Sequence, residues 1–233
     1  MATLDDTLRL LHEHARPGEL QGMARFGMAV DKRLGVSVPN LRRLAKALGR
    51  DHALAQALWD TGIPDAQILA GMLAEPARFT SRQMDAWARS MNSWDVCDGA
   101  CLNAFAHSPL AWNKVAAWAH RHDEFTRRAA FSLLATLAVH DKASPDSRFE
   151  EALALVEGAA GDERNFVKKA VNWALRSIGK RSAALHRAAL ACAARLQATD
   201  SRAARWIAAD ALRELRSDAV QTRLAPWATA SAR

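Results

Sequence analysis

The sequence predicts an all-α fold, a superhelix of stacked helix pairs, and three observations carry that prediction. Apolar residues recur at three- and four-residue spacing along nearly the whole chain, and no stretch sustains the period of two that a strand requires. Prolines fall at regular intervals, where a first helical turn accepts them. Three segments of the second half look like copies of one unit: 125–137 (FTRRAAFSLLATL), 166–178 (FVKKAVNWALRSI) and 203–215 (AARWIAADALREL).

Taken in order, Pro39 and Pro64 predict helix starts, and Asn92 with Ser93 predicts another, Asp95 supporting the cap three residues after Asn92. Pro109 and Pro145, behind the caps Ser108 and Ser144, predict two more. His120 and His122 flank Arg121 in a loop. The three copies follow, and equating Arg128, Lys169 and Arg205 gives spacings of 41 and 36 residues. Asp98 lies 30 residues before Arg128, on an earlier and more diverged copy. The breaks delimit about a dozen helices of roughly 10–18 residues. Helix pairs at a period near 40 point to a HEAT- or armadillo-type solenoid, one domain over residues 1–233. A four-helix bundle would hold too few helices. The curve of a solenoid offers a long concave surface, and the polar end of the chain reads as an irregular tail on a capped monomer.

Composition narrows the function. Half of the residues are apolar, tyrosine is absent and tryptophan reaches 8. No run approaches the length of a membrane span, and the first residues lack a secretory layout. Three cysteines, Cys97, Cys101 and Cys192, argue against a disulfide framework and fit a reducing compartment, so a cytoplasmic location is expected. Residues 1–120 hold 13 basic and 12 acidic side chains, whereas residues 121–233 hold 19 and 13. An excess of base confined to one half suggests an anionic partner there. Ala/Arg-rich composition alone would produce a similar charge.

The helical faces supply the candidate chemistry. Around Asp98 the neighbours three, four and seven residues away are Trp94, Cys101, Leu102 and Phe105, with Asp95 the other acid. A carboxylate on an apolar, aromatic face incurs a desolvation cost, which a structural ion pair or a cationic ligand would offset. In the 166–178 copy, Val167, Ala170, Val171, Ala174, Leu175 and Ile178 form the core stripe. Trp173 stands off it, among Lys169, Arg176 and Lys180, as a nucleic-acid surface requires. In the 125–137 copy the stripe is Ala130, Leu133, Leu134, Leu137 and Ala138, and Arg128 projects away toward Ser132 and Ala135, with an approachable guanidinium. Arg127 lies nearer the apolar side, within the first turn. Cys97 and Cys101 share a face without a second Cys or His pair, so no metal site is expected. GxSxG, GxxxxGK[ST] and GxGxxG are absent, which disfavours serine hydrolases, kinases, NTPases and dehydrogenases.

With these residues assembled, the sequence resembles the DNA alkylation repair proteins of the AlkD-like family, the HEAT-like-repeat DNA glycosylases. The motifs are MARF (23–26), GVSVPNLRRL (35–44), SWDVCD (93–98), RRAAFSLL (127–134) and KKAVNWALR (168–176), in the family's order. The resemblance implies a monofunctional enzyme that cleaves the N-glycosidic bond of cationic N3- and N7-alkylated purines in duplex DNA without a deep base pocket. Asp98, Trp94 and Trp173 would be catalytic. Arg128, Arg127, Lys168, Lys169, Arg176 and Phe26 would meet DNA, with no cofactor and no metal. The protein would be cytoplasmic, at the bacterial nucleoid when bound to DNA. Phe26 departs from members with Tyr there, keeping the ring and losing the hydroxyl. The alternative is a non-catalytic HEAT-repeat scaffold that binds nucleic acid or protein, which gains nothing from an acid beside a basic row.

Overall fold

The computed structural model describes residues 2–230, with side chains assigned to Leu224. Among the described residues there are fourteen α-helices, three short 3-10 turns and no strand. The chain forms two compact units, 1–111 and 112–233.

The first unit is built around a helix with no polar face. It contains α1 (Leu4–Glu13), α2 (Leu20–Arg25), α3 (Val38–Leu48), α4 (His52–Asp60), α5 (Pro64–Leu73), α6 (Ser81–Ser90) and α7 (Trp94–Asn103). Every residue of α5 except Met72 is buried, which is the pattern of a central helix. Helices α1, α3, α4 and α7 all pack on α5. The approach of α7 is close: a Cβ on Gly71 would stand 3.5 Å from the Cα of Ala100. Pro39 and Pro64 do sit in first turns, of α3 and α5. The start of α6 is fixed by a capping box between Thr80 and Gln83. Beneath it, Trp59 and Trp87 stack with centroids 3.9 Å apart, and Phe79 meets Trp87 and Phe105 edge-on. Much of the tryptophan content is therefore core.

The second unit repeats a pair. Its elements are α8 (Ala111–Trp118), α9 (Glu124–His140), α10 (Asp146–Ala159), α11 (Asn165–Gly179), α12 (Ala183–Gln197), α13 (Arg202–Leu215) and α14 (Asp218–Ala230). The three sequence copies fall on α9, α11 and α13, each beginning one residue inside its helix. Helix α9 packs on α11 and α11 on α13, while α10 packs on α12 and α12 on α14. Both expected core stripes, on α9 and α11, are buried in full. Gly179 is needed where three helices meet, because a Cβ there would lie 2.8 Å from Leu215 and 2.9 Å from Ala189.

Three local expectations are corrected. Pro109 lies in a turn before α8, and Pro145 is the cap residue of α10 rather than part of its first turn. Phe105 lies past the end of α7, in a 3-10 turn, so it does not continue the Asp98 face. The polar end of the chain is helical through residue 230, as α14, instead of an irregular tail. A backbone stretch with polar side chains can still form a helix when one face finds a neighbour, and here α12 and α13 supply it.

Candidate functional site

In the first unit the candidate residues gather at the start of α7. Ser93 is the N-cap residue, as the sequence indicates, but its hydroxyl does not cap the helix. It donates to the Asp95 carboxylate and accepts from the Ala29 amide at 3.0 Å. Asp95 in turn takes two bonds from the Arg33 guanidinium, 2.8 Å from Nη1 and 3.0 Å from Nη2. Arg33 is buried, and its Nε donates to the Ala29 carbonyl at 2.6 Å. The acid placed to support the cap therefore anchors the helix to the 29–33 segment through a buried, bidentate ion pair.

That segment is itself held from two sides. Asp65 on α5, 1% exposed, accepts from the amides of Leu34 and Val36, both at 2.7 Å. Gly35 adopts φ +79°, and a Cβ there would lie 2.5 Å from the Arg16 carbonyl oxygen. Neither Arg33 nor Asp65 stood out in the sequence. Asp65 offered only its place in a largely apolar helix, and Arg33 carried no periodic signal.

Asp95 is thus tied into the fold by an ion pair. Asp98 is half-buried, one helical turn beyond Trp94, which is half-buried as well. The Trp94 Nε1 donates to the Phe26 carbonyl oxygen at 3.1 Å. Phe26 ends α2 and is 75% exposed, so its ring is surface rather than core. Asp98, Trp94 and Phe26 are accordingly brought together on one unit, with a carboxylate and aromatic surface near solvent.

The second unit treats the expected cations unequally. Arg128 is corrected from approachable to buried: it is 6% exposed and its Nη1 donates to the Phe166 carbonyl at 2.7 Å. The reason lies in α9, where every residue from Arg128 to Ala138 is buried, leaving no solvent face behind the core stripe. Arg127 pairs with Asp162 at 3.0 Å, an acid that Arg164 also holds. Arg176 pairs with Glu214 and faces Asp210 at 3.8 Å, and Lys180 pairs with the same Glu214. Two of the three cations around Trp173 are therefore neutralised by α13. Lys169 remains exposed, and Lys168 lies 5.0 Å over the ring of Trp206. Arg128 and Lys169 hold matching positions on α9 and α11, but Arg205 falls one place earlier on α13, level with Arg127 and Lys168, and the expected row of open cations is not formed.

Trp173 is half-buried at the edge of a cavity of about 220 Å³ between the ends of α9, α11 and α14. Lys142, Lys180, Arg181 and Arg223 line it with Ser177 and apolar residues. Among the described residues no group of three or more His, Cys, Asp or Glu side chains is arranged to hold a metal ion. Cys192 is a buried thiol pushed up to about 12 by burial and by the neighbouring Glu157 carboxylate.

No curated protein matches this chain. A solved structure described as "a new family of proteins related to the HEAT-like repeat DNA glycosylases with affinity for branched DNA structures" superposes with a TM-score of 0.75 at 20% identity, over 91% of this chain and 95% of its own. The fold is thereby that of the HEAT-like helical repeats. The model of the DNA alkylation repair enzyme family matches residues 7–215, so the chain belongs to that family.

Proposed function

We infer that the protein is a DNA glycosylase that excises cationic N3- and N7-alkylated purines from duplex DNA. The observation that carries this reading is the face of α7 on which half-buried Asp98 lies one turn from Trp94, whose indole is bonded to the Phe26 carbonyl. An alkylated purine carries a positive charge and is a good leaving group. As its glycosidic bond breaks, oxocarbenium character develops on the deoxyribose. A carboxylate held on a rigid helix stabilises that charge where it forms and orients the attacking water. The indole of Trp94 holds a cationic sugar or base edge through its π face, worth about 0.5–2 kcal/mol.

The family supports a DNA-repair enzyme, and the chemistry of α7 supports the finer assignment. An excision assay on duplex DNA with one N7-methylguanine tests it. Asp98→Asn is expected to bind the duplex while losing on the order of 10²–10³ in single-turnover rate. An unchanged rate removes Asp98 from the mechanism. A second reading, binding of branched DNA without catalysis, draws on the affinity described for the structural neighbour. Wild-type protein that excises nothing yet prefers a four-way junction to duplex would favour it.

A further inference from the structure

We propose that the cavity beside Trp173 is a phosphate-binding site that takes one phosphodiester of a DNA strand, with Lys142 and Arg223 as the groups that contact it. Four cations, Lys142, Lys180, Arg181 and Arg223, line this cavity, and none of its lining residues is acidic. Two of the four are fixed in place. Lys180 is paired with Glu214. Arg181 donates to the carbonyls of Ala138 and Ser144 and to Asp146, with its guanidinium 4.1 Å over Phe149. Their charges are partly offset by those acids, and they serve as a preset positive wall.

Lys142 and Arg223 differ. Both are exposed, and neither has an ion-pair partner among the described residues. They enter the cavity from different elements, the loop after α9 and helix α14, so they can close on an anion from two sides. Counting Glu214 and Asp146, the site keeps an excess of two positive charges. The free volume of about 220 Å³ accommodates a phosphate with part of its sugar, and the Trp173 indole lines the same space for sugar or base contact. A strand phosphate satisfies both features, whereas a free inorganic anion leaves the indole unused. This assignment rests on the reading of the protein as DNA-binding but not on excision.

The binding constant for unmodified duplex, measured against salt concentration, tests it. Each phosphate contact contributes about 0.9 to the slope of log K against log salt. The double variant Lys142→Gln, Arg223→Gln gives up one phosphate contact, and it is expected to lower that slope by about 1 and to weaken binding on the order of tenfold at moderate salt. Both residues are exposed, so the variant is expected to keep the wild-type melting temperature. A slope and affinity equal to wild type overturn the proposal. Stabilisation of wild type but not of the variant by inorganic phosphate, with an unchanged DNA slope, also overturns it, since the site would then serve a small anion. A wild-type protein that excises nothing, with the difference in slope between wild type and variant intact, would instead count against the glycosylase reading and leave this site standing.

Discussion

At the scale of single residues, the sequence supplied two acids on one helix and could not say which would pair with Arg33. Asp95 is the anchor because Arg33, sixty-two positions away in sequence, is folded against it with a side chain only 3% exposed. Arg33→Ala would leave the mostly buried Asp95 carboxylate without its counter-charge, and the expected cost is about 3–5 kcal/mol in denaturant unfolding. Arg33→Lys is expected to recover only part of it, since a lysine cannot reproduce the bidentate geometry. Equal stability of all three proteins would show that the pair holds nothing. The same logic explains Arg127 and Arg176, which read as open cations from their own helices. Their partners, Asp162 and Glu214, lie 35 and 38 residues further on.

At the scale of elements, the helical period located the buried stripes of α9 and α11 correctly because it reports which residues share a face. It says nothing of how many faces are covered. Helix α9 is buried all round, so Arg128 lost the solvent access that a one-sided stripe implied. Close packing also makes a glycine indispensable where α11, α12 and α13 converge. Gly179→Ala gains helix propensity, yet its Cβ must displace Leu215 and Ala189, and a net loss of about 1–3 kcal/mol is expected. A rise in melting temperature would mean that the junction is looser than its distances imply. At the start of α6, Thr80→Ala removes the capping box and is expected to cost about 1 kcal/mol.

At the scale of the whole molecule, the two units are expected to respond to acid in different windows. In the first, burial lowers the His52 pKa, with Arg78 adding to the effect and Glu75 and Asp51 opposing it. Its ring nitrogens have no hydrogen-bond partner among the described residues. A folded pKa below the ordinary 6.5 means that the unfolded chain takes the proton first, so this stability falls as pH drops below about 6.5. In the second unit, burial pushes Asp141 upward but is outweighed by donors from Ser144, Trp112 and the Ala143 amide, which bring it to about 2. Its contribution, on the order of 1 kcal/mol after solvent screening, is complete above the ordinary 3.8 and is lost as pH falls toward 2. Hydrogen exchange at pH 7, 5 and 3.5 is expected to show the environs of His52 loosening first. His52→Leu is expected to flatten the change between pH 7 and 5. If exchange there is equally pH-dependent in that variant, His52 is not its source.

The amino-acid sequence by itself determined the helices, the repeat in the second half, both core stripes and the motifs that mark the family. Each of these is written in spacings of a few residues or in local strings. Tertiary structure alone decided which charges remain available, that Phe26 stands at the surface, and that Lys142 and Arg223 meet at Trp173. Those outcomes depend on which helix lies against which. A counter-charge forty or sixty residues distant leaves no periodic trace in the chain it will neutralise.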